Sequence, residues 1–148
     1  MKVMLTCTGM AVLLLGSAAV LSQTAGAVNG VKIWPKGMPP NGIKEKDDYG
    51  DHVVSVSHRE KNGVVELHEA KDDVMIVQSG AATFVYGGRG VGMHTSAPGE
   101  QQGERIEGGT TVHVELGDVI TVAAGTPHQF FVPKGGQVTY TLVKVLKR

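Results

Sequence analysis

Four side chains in this sequence have the types and the spacing of a metal-binding group. Glu66 and His68 lie two positions apart in the segment Val64–Gly80, and Asp73 follows five positions after His68. If the residues around Glu66 form a β-strand, alternate side chains share a face, so Glu66 and His68 point the same way. His128 follows His68 by about sixty positions. The sequence therefore predicts that two distant segments converge on one polar site.

Such a site is suited to a divalent metal. The metal needs several lone pairs that converge on one point about 2 Å from each donor. Glu66 and His68 can supply two donors from one strand, and His128 can supply a third. Asp73 can supply a fourth from the strand that follows. Two histidines with a carboxylate leave coordination positions open for substrate or oxygen, which favours Mn or Fe, with Zn behind them.

Each residue also has an interpretation in which it is not a metal ligand. His68 and His128 can be hydrogen-bonded histidines of a barrel that binds no ion. Glu66 can act as a catalytic general base beside the metal, or can simply pair with a neighbour on the next strand. Asp73 has a short side chain and can cap the turn before its strand. The residue types alone leave these interpretations open.

Short strands separated by tight turns must position these side chains. Asn62-Gly63 predicts a hairpin turn before the first site strand, and Ser79-Gly80 predicts a second turn. The long glycine-rich segment Gly87–Gly109 predicts a loop that holds a short strand and could serve as a lid. The predicted strands are His52–His58, Val64–His68, Val74–Gln78, Ala81–Tyr86, Thr110–Leu116, Val119–Val122, Gln129–Val132 and Val138–Leu146. With no helical period of useful length, the pattern indicates an all-β sandwich or barrel.

The composition limits the class of partner. The 148 residues carry 14 Lys and Arg against 14 Asp and Glu, so the formal net charge is zero. No basic cluster interrupts this balance, which argues against nucleic acid as a partner. The length is that of one domain.

The first residues have the pattern of a secretory signal peptide. Lys2 precedes the apolar run Met10–Leu21, and Ala25-Gly26-Ala27 is a small-residue cleavage site. Cleavage after Ala27 would remove residues 1–27, export the protein to the periplasm or the extracellular space, and leave no stable membrane anchor. The alternative is an uncleaved anchor, for which the apolar run is short. Cys7, the only cysteine, would leave with the signal, which excludes disulfides and thiolate ligands from the mature chain.

The remaining chain divides into an arm and a barrel. Residues 28–50 are rich in proline, glycine and charge, and we expect an N-terminal arm there. Residues 51–148 contain the predicted strands and form the expected β-barrel domain. Trp34, the only tryptophan, is expected to dock on the barrel or on a second subunit.

The segment around Glu66 resembles the first motif of the cupin superfamily. That motif reads Gly, five residues, His-x-His, three or four residues, Glu, six residues, Gly. The corresponding positions here are Glu66, His68, Asp73 and Gly80. The spacing matches, but Glu66 replaces the first histidine and Asp73 replaces the glutamate. The leading glycine is displaced as well, because Gly63 lies only three positions before Glu66.

A second stretch resembles the other cupin motif, which reads Gly, five residues, Pro-x-Gly, two residues, His, three residues, Asn. Gly117, Gly125 and His128 keep this spacing. Ala123 replaces the proline and Val132 replaces the asparagine. The resemblance covers residues 55–143, most of the chain after the predicted signal.

The resemblance implies an all-β fold, a single jelly-roll β-barrel, with a divalent metal held by Glu66, His68, Asp73 and His128. It implies a small exported cupin that acts on a small molecule, by oxygenase, isomerase or lyase chemistry that the motifs do not resolve. The alternatives are a cupin that binds a sugar or another small ligand without turnover, and a metal-free structural barrel. A homodimer is compatible with all three, because cupins frequently dimerise through their sheets.

Overall fold

The chain folds as short β-strands joined by turns, as its alternating sequence pattern predicts. A computed structural model describes residues 30–147, so the predicted signal peptide lies outside the described residues. The strands are β1 (Lys46–Asp48), β2 (His52–Arg59), β3 (Val65–His68), β4 (Lys71–Tyr86), β5 (Arg89–Val91), β6 (His94–Ala97), β7 (Glu100–Gly103), β8 (Arg105–Glu107), β9 (Thr110–Glu115), β10 (Val119–Val122), β11 (His128–Phe131) and β12 (Val138–Leu146). Within residues 30–147 the only helical element is a 3₁₀ turn at Pro35–Gly37, and no helix there has the length and apolar character needed to cross a membrane.

The long strand β4 belongs to two sheets and joins them. Its first half pairs with β12 and β10, and its second half pairs with β11 and β9, all antiparallel. One wall therefore has the order β1-β2-β12-β4-β10, and the other has the order β9-β4-β11-β3-β7-β6. The sheet curls around β4, which confirms the predicted fold class of an all-β jelly-roll barrel.

The strand β4 passes from one wall to the other at Gly80. The φ angle of Gly80 is +73°, and a Cβ atom there would lie 1.9 Å from the backbone oxygen of Gln137. The prediction of a turn at Ser79-Gly80 between two separate strands was wrong. Ser79 and Gly80 remain paired with β12, because a glycine at positive φ bends the backbone without breaking the strand.

The segment predicted as a loop with one short strand contains four strands, β5 to β8. Strand β7 pairs with β3, and β6 pairs with β7, so this segment extends the second wall. Strands β5 and β8 form a separate two-stranded sheet. Sequence pattern missed these strands because β7 reads Glu-Gln-Gln-Gly and lacks the apolar alternation that identifies a strand.

The core lies between the two walls. The Phe130 ring lies 4.7 Å from the Phe84 ring and 4.9 Å from the Tyr140 ring, measured between centroids. The buried core side chains are Met75, Val77, Ala82, Phe84, Val114, Val122, Phe130, Val132, Val138 and Tyr140. Along β4 and β12 these residues alternate with outward ones, so one face of each wall is apolar and faces the barrel interior.

The described part of the predicted arm lies on the outer face of the first wall. The amide of Gln78 donates a hydrogen bond to the Gly37 carbonyl at 3.1 Å, and Lys32 forms ion pairs with Glu45 at 2.6 Å and with Asp47. Strand β1 also lies within residues 28–50 and pairs with β2. The division of the chain at residue 50 stays a prediction.

Candidate functional site

The four residues singled out in the sequence line one cavity between the two walls. The cavity has a volume of about 280 Å³. Glu66 and His68 point into it from β3, Asp73 from β4, and His128 from the start of β11. His128 lies directly opposite Glu66 in the ladder between β11 and β3, which explains how residues distant in sequence meet.

Three of the four side chains form a compact group of donors. Glu66, His68 and His128 each offer one ligand atom, and these atoms lie within 4.8 Å of one another. The imidazole rings of His68 and His128 have centroids 5.3 Å apart. Both histidines are buried, with 7% and 2% of their surface exposed. A single ion lying between the three atoms could reach all of them.

The loop before β11 orients His128. The Nδ1 atom of His128 lies 3.0 Å from the Thr126 carbonyl oxygen, so the Nδ1–H group donates there and the lone pair of Nε2 faces the cavity. The backbone N–H of Gly125 donates to the His68 carbonyl at 2.7 Å, which ties this loop to β3. Burial lowers the pKa of His128 against the opposing effect of the Thr126 carbonyl and nearby carboxylates, so the neutral imidazole is favoured.

Glu100 from β7 orients His68. Its carboxylate accepts a hydrogen bond from the Nδ1 atom of His68 and forms an ion pair with Lys71 at 2.7 Å. The Nε2 atom of His68 therefore faces the cavity as well. Burial lowers the pKa of His68, but the neighbouring Asp73 carboxylate outweighs burial, so the pKa lies above its ordinary value. Burial also opposes ionisation of Glu100, yet its bonds to Lys71 and His68 hold its pKa below the ordinary value.

Asp73 is a buried carboxylate whose partners all lie in this cavity. Only 2% of its surface is exposed. Its Oδ2 atom lies 3.2 Å from Nε2 of His68 and 3.6 Å from Nε2 of His128, and its two oxygens accept hydrogen bonds from Lys144 at 2.9 and 3.2 Å. Burial raises the pKa of Asp73, but the neighbouring His68 ring and the hydrogen bonds from Lys144 outweigh burial and leave the pKa below its ordinary value. Its role as a metal ligand stays a prediction.

The chemistry of the donor set fits a divalent metal. Two imidazole nitrogens and a carboxylate suit such an ion. The second nitrogen of each ring is already bonded, to the Thr126 carbonyl for His128 and to Glu100 for His68. Histidines that bind metals in proteins show this arrangement, because the outer bond fixes the tautomer and the ring orientation.

The sequence reasoning missed three charged residues of the cavity: Arg59, Glu100 and Lys144. Arg59 donates from Nε to the Tyr140 hydroxyl at 2.9 Å and lies 3.3 Å from the Glu66 carboxylate. Lys144 had a detectable signal, because it follows Tyr140 on the inward face of β12 at the alternation of a strand. Glu100 had none, since its strand was not recognisable.

The other described histidines lie away from this cavity. His58 hydrogen-bonds the Thr139 hydroxyl at 2.8 Å, and His113 lies 3.8 Å from Glu115 at the surface. A second cavity of about 430 Å³ lies beside β9 and β10. Mainly apolar side chains line it, and none of the four predicted metal ligands does.

Comparisons with known proteins support the fold and leave the activity open. No protein-family description and no curated protein matches this sequence. An uncharacterized conserved protein with a double-stranded β-helix domain, from Klebsiella pneumoniae, matches in structure with 17% identity and a TM-score of 0.53, covering 80% of this chain and 92% of its own. A hydroquinone 1,2-dioxygenase from a Sphingomonas species matches with 10% identity and a TM-score of 0.50, covering 68% of this chain and 63% of its own.

A cupin protein from Bacteroides fragilis matches with 13% identity and a TM-score of 0.44, covering 65% of this chain and 66% of its own. The match thus spans slightly less than two thirds of the length of the Bacteroides and Sphingomonas proteins. Identities this low show the fold alone. Together with the two curled walls joined by β4, the matches to the Klebsiella and Sphingomonas structures show that this chain has the double-stranded β-helix fold that cupins share.

Proposed function

We propose that this protein binds a divalent metal through Glu66, His68 and His128 and acts on a small molecule in the adjoining cavity. The observation that carries the proposal is the matched orientation of the two histidines. Each ring is fixed at Nδ1, by Glu100 or by the Thr126 carbonyl, and each turns Nε2 toward the cavity. Such paired orientation is what a metal site requires and an ordinary core does not.

The residues around the metal have distinct tasks in this proposal. A bound divalent ion supplies Lewis acidity to a substrate oxygen. Glu66 either completes the ligand set or holds a proton at its carboxylate as general base, and Arg59 at 3.3 Å fixes that carboxylate. Mn or Fe is favoured over Zn, because replacing an imidazole by Glu66 makes the ligand set harder. Oxygenation, isomerisation and lyase chemistry all remain compatible with this arrangement.

The charge of the cavity favours an anionic small molecule. Three carboxylates line the cavity, those of Glu66, Asp73 and Glu100, together with two cationic groups, Arg59 and Lys144. Without a metal the carboxylates outnumber the cationic groups, so the net charge of the cavity is negative. A bound divalent ion makes that net charge positive. A ligand of modest size with one negative charge would then neutralise the filled site.

Metal content tests the proposal. The purified protein is analysed by elemental mass spectrometry, after preparation without a metal-binding affinity tag, beside the variants His68→Ala, His128→Ala and His113→Ala. We expect about one equivalent of Mn or Fe in the parent protein and in the surface control His113→Ala, since one ion suffices for the three donors. Both cavity variants should lose it. If the parent protein contains no metal even after reconstitution, the proposed function is wrong.

A second function is favoured by one specific contact. The ammonium of Lys144 lies 2.6 Å from Nε2 of His68 and 2.9 Å from Asp73. A barrel with its own internal cation could hold a sugar or another small ligand without a metal. Ligand binding that survives removal of all metal by a chelator would favour this binding function over the enzyme.

Export and dimer formation complete the proposal. The sequence of residues 1–27 supports secretion to the periplasm or the extracellular space, followed by a mature start at Val28. Sequencing the N-terminus of protein recovered from producing cells tests this, and a start at Met1 would contradict it. A homodimer is expected from the behaviour of similar folds, and the mass of the purified protein in solution tests it.

A further inference from the structure

Lys144 makes its closest contacts with the predicted metal-binding residues. It is paired with Asp73 in the ladder between β12 and β4, so both side chains project into the barrel. Its Nζ atom lies 2.6 Å from Nε2 of His68, and 2.9 and 3.2 Å from the two oxygens of Asp73. An ammonium group thus lies on the donors that a cation would use.

The contact with His68 excludes a metal at the same nitrogen. When His68 is neutral and its Nδ1–H group is bonded to Glu100, the one lone pair of Nε2 accepts a hydrogen bond from Lys144. A nitrogen cannot give that lone pair to a metal at the same time. Metal binding at His68 therefore requires Lys144 to move.

The contact with Asp73 explains why the lysine lies there. Asp73 is 2% exposed, and a buried carboxylate without a cationic partner is strongly destabilising. The side chain of Lys144 is 22% exposed and also lines the open cavity. It can leave His68 for the cavity while Asp73 remains within its reach.

We propose that Lys144 is the resident cation of the metal-free site: its ammonium occupies His68 and Asp73, and a divalent metal displaces it from His68. This inference rests on the proposed metal at Glu66, His68 and His128. Lys144 is a positioning residue in the metal-free protein and a competitor of the metal. It lowers the affinity of the site for the ion, both by occupying a ligand and by repelling a second positive charge.

Replacing Lys144 with an uncharged residue removes both effects together. We measure the Kd of Mn(II) for the purified protein by calorimetry, together with the variants Lys144→Met, Lys144→Gln, Lys144→Arg and the exposed control Lys134→Met. The uncharged variants should bind Mn(II) about tenfold more tightly or better. Lys144→Arg and Lys134→Met should bind it as the parent protein does.

Thermal unfolding provides the second readout, independent of any activity. Without metal, Lys144→Met and Lys144→Gln should melt below the parent protein, because Asp73 loses its partner. Saturating Mn(II) should raise their Tm by more than it raises that of the parent. Lys144→Met could be so unstable without metal that it folds only when Mn(II) is present. Circular dichroism with and without the ion would detect this, and it would support the inference in the same way as a lowered Tm.

The outcomes separate this inference from the proposed function. If the parent protein and both uncharged variants bind Mn(II) equally, or the variants bind it more weakly, the role of Lys144 is wrong and the metal site stands. If none of them binds a divalent metal, both ideas are wrong. Binding of Mn(II) by the parent protein, and tighter binding by both uncharged variants, would support the inference.

Discussion

Each histidine of the candidate site is oriented by one hydrogen bond at Nδ1, which leaves its Nε2 atom facing the cavity. Glu100 fixes His68 and the Thr126 carbonyl fixes His128, so both Nε2 atoms are aimed before any ion arrives. Preorganisation of this kind avoids the conformational cost of ordering the ligands at the moment of binding. The residues that hold the histidines are therefore as important to the site as the histidines themselves.

The substitution Glu100→Gln tests this support. The amide still fits the space but loses the charge that favours the Nδ1–H tautomer of His68. We expect the affinity for Mn(II) to fall by about 10- to 100-fold, measured by calorimetry. Glu104→Gln, whose side chain is 75% exposed, is the matched control and should bind normally. Unchanged affinity in Glu100→Gln would show that the bond to His68 does not prepare a metal ligand.

Asp73 should make the stability of the metal-free protein depend on acid. Its pKa is lowered in the fold from the ordinary 3.8, because the neighbouring His68 ring and the hydrogen bonds from Lys144 outweigh the effect of burial. A carboxyl group whose pKa is lower in the folded state than in the unfolded state stabilises the fold at pH values above its unfolded pKa. This contribution is lost as the pH falls through the folded pKa. Urea unfolding between pH 7 and pH 3 should therefore show a loss of stability below about pH 4. Asp73→Asn should be less stable at pH 7 and lack part of that slope; parallel curves would contradict the assignment.

The spacing of the site residues predicted their positions where they lie on one recognisable strand. Glu66 and His68 share a face because strand side chains alternate, and His128 joins them because β11 pairs with β3. Glu100 could not be found in this way, since its position depends on the pairing of β7 with β3, which no local pattern encodes. Lys144 shows that a charged residue on the inward face of a strand is itself a signal.

At the scale of elements, β4 determines the shape of the barrel. One strand serves two walls because the backbone bends at Gly80, where β12 also shifts its register between Thr139 and Tyr140. The same strand carries Asp73 into the cavity and Phe84 into the core. The fold therefore depends on a backbone conformation that only glycine adopts readily.

Gly80→Ala should destabilise the protein more than an ordinary glycine substitution. Both Gly80 and Gly117 have positive φ angles, +73° and +95°, but only at Gly80 would a Cβ meet backbone atoms, with Gln137 oxygen at 1.9 Å. Gly117→Ala should cost about 1 kcal/mol from backbone strain alone. Gly80→Ala should cost clearly more, as measured by urea unfolding. Equal losses would contradict the close approach of β4 and the residues before β12.

Sequence pattern predicted the elements well where apolar residues alternate and poorly where they do not. Strands β10 and β12 begin and end where they were predicted to. At Gly80 the glycine indicated a turn, because local sequence cannot distinguish a turn from a bend within a paired strand. The polar strand β7 could not be predicted from the sequence, because it is defined by its pairing with β3 and lacks an alternating apolar pattern.

At the scale of the whole molecule, the segment before the barrel is attached to it. Residues 30–50 contribute β1 to one wall and contact Gln78 through Gly37. The Nε1 atom of Trp34 is buried and has no hydrogen-bond partner among the described residues. These contacts indicate that the segment and the barrel unfold together.

The fluorescence of Trp34, the only tryptophan, tests whether residues 30–50 unfold together with the barrel. We expect its fluorescence and the far-ultraviolet circular dichroism to change at the same urea concentration, as in a two-state transition. Gln78→Ala, which removes the bond to the Gly37 carbonyl, should lower both midpoints together. A fluorescence transition that clearly precedes the loss of β structure would show that the segment folds independently of the barrel.

The proposed function depends on one divalent ion between Glu66, His68 and His128. Anomalous diffraction from crystals grown with Mn(II) would locate that ion. We expect one strong anomalous peak at about 2 Å from the Nε2 atoms of both histidines, next to the Glu66 carboxylate, with Lys144 moved away from His68. A cavity without an anomalous peak, in which Lys144 still contacts His68 at saturating Mn(II), would contradict it.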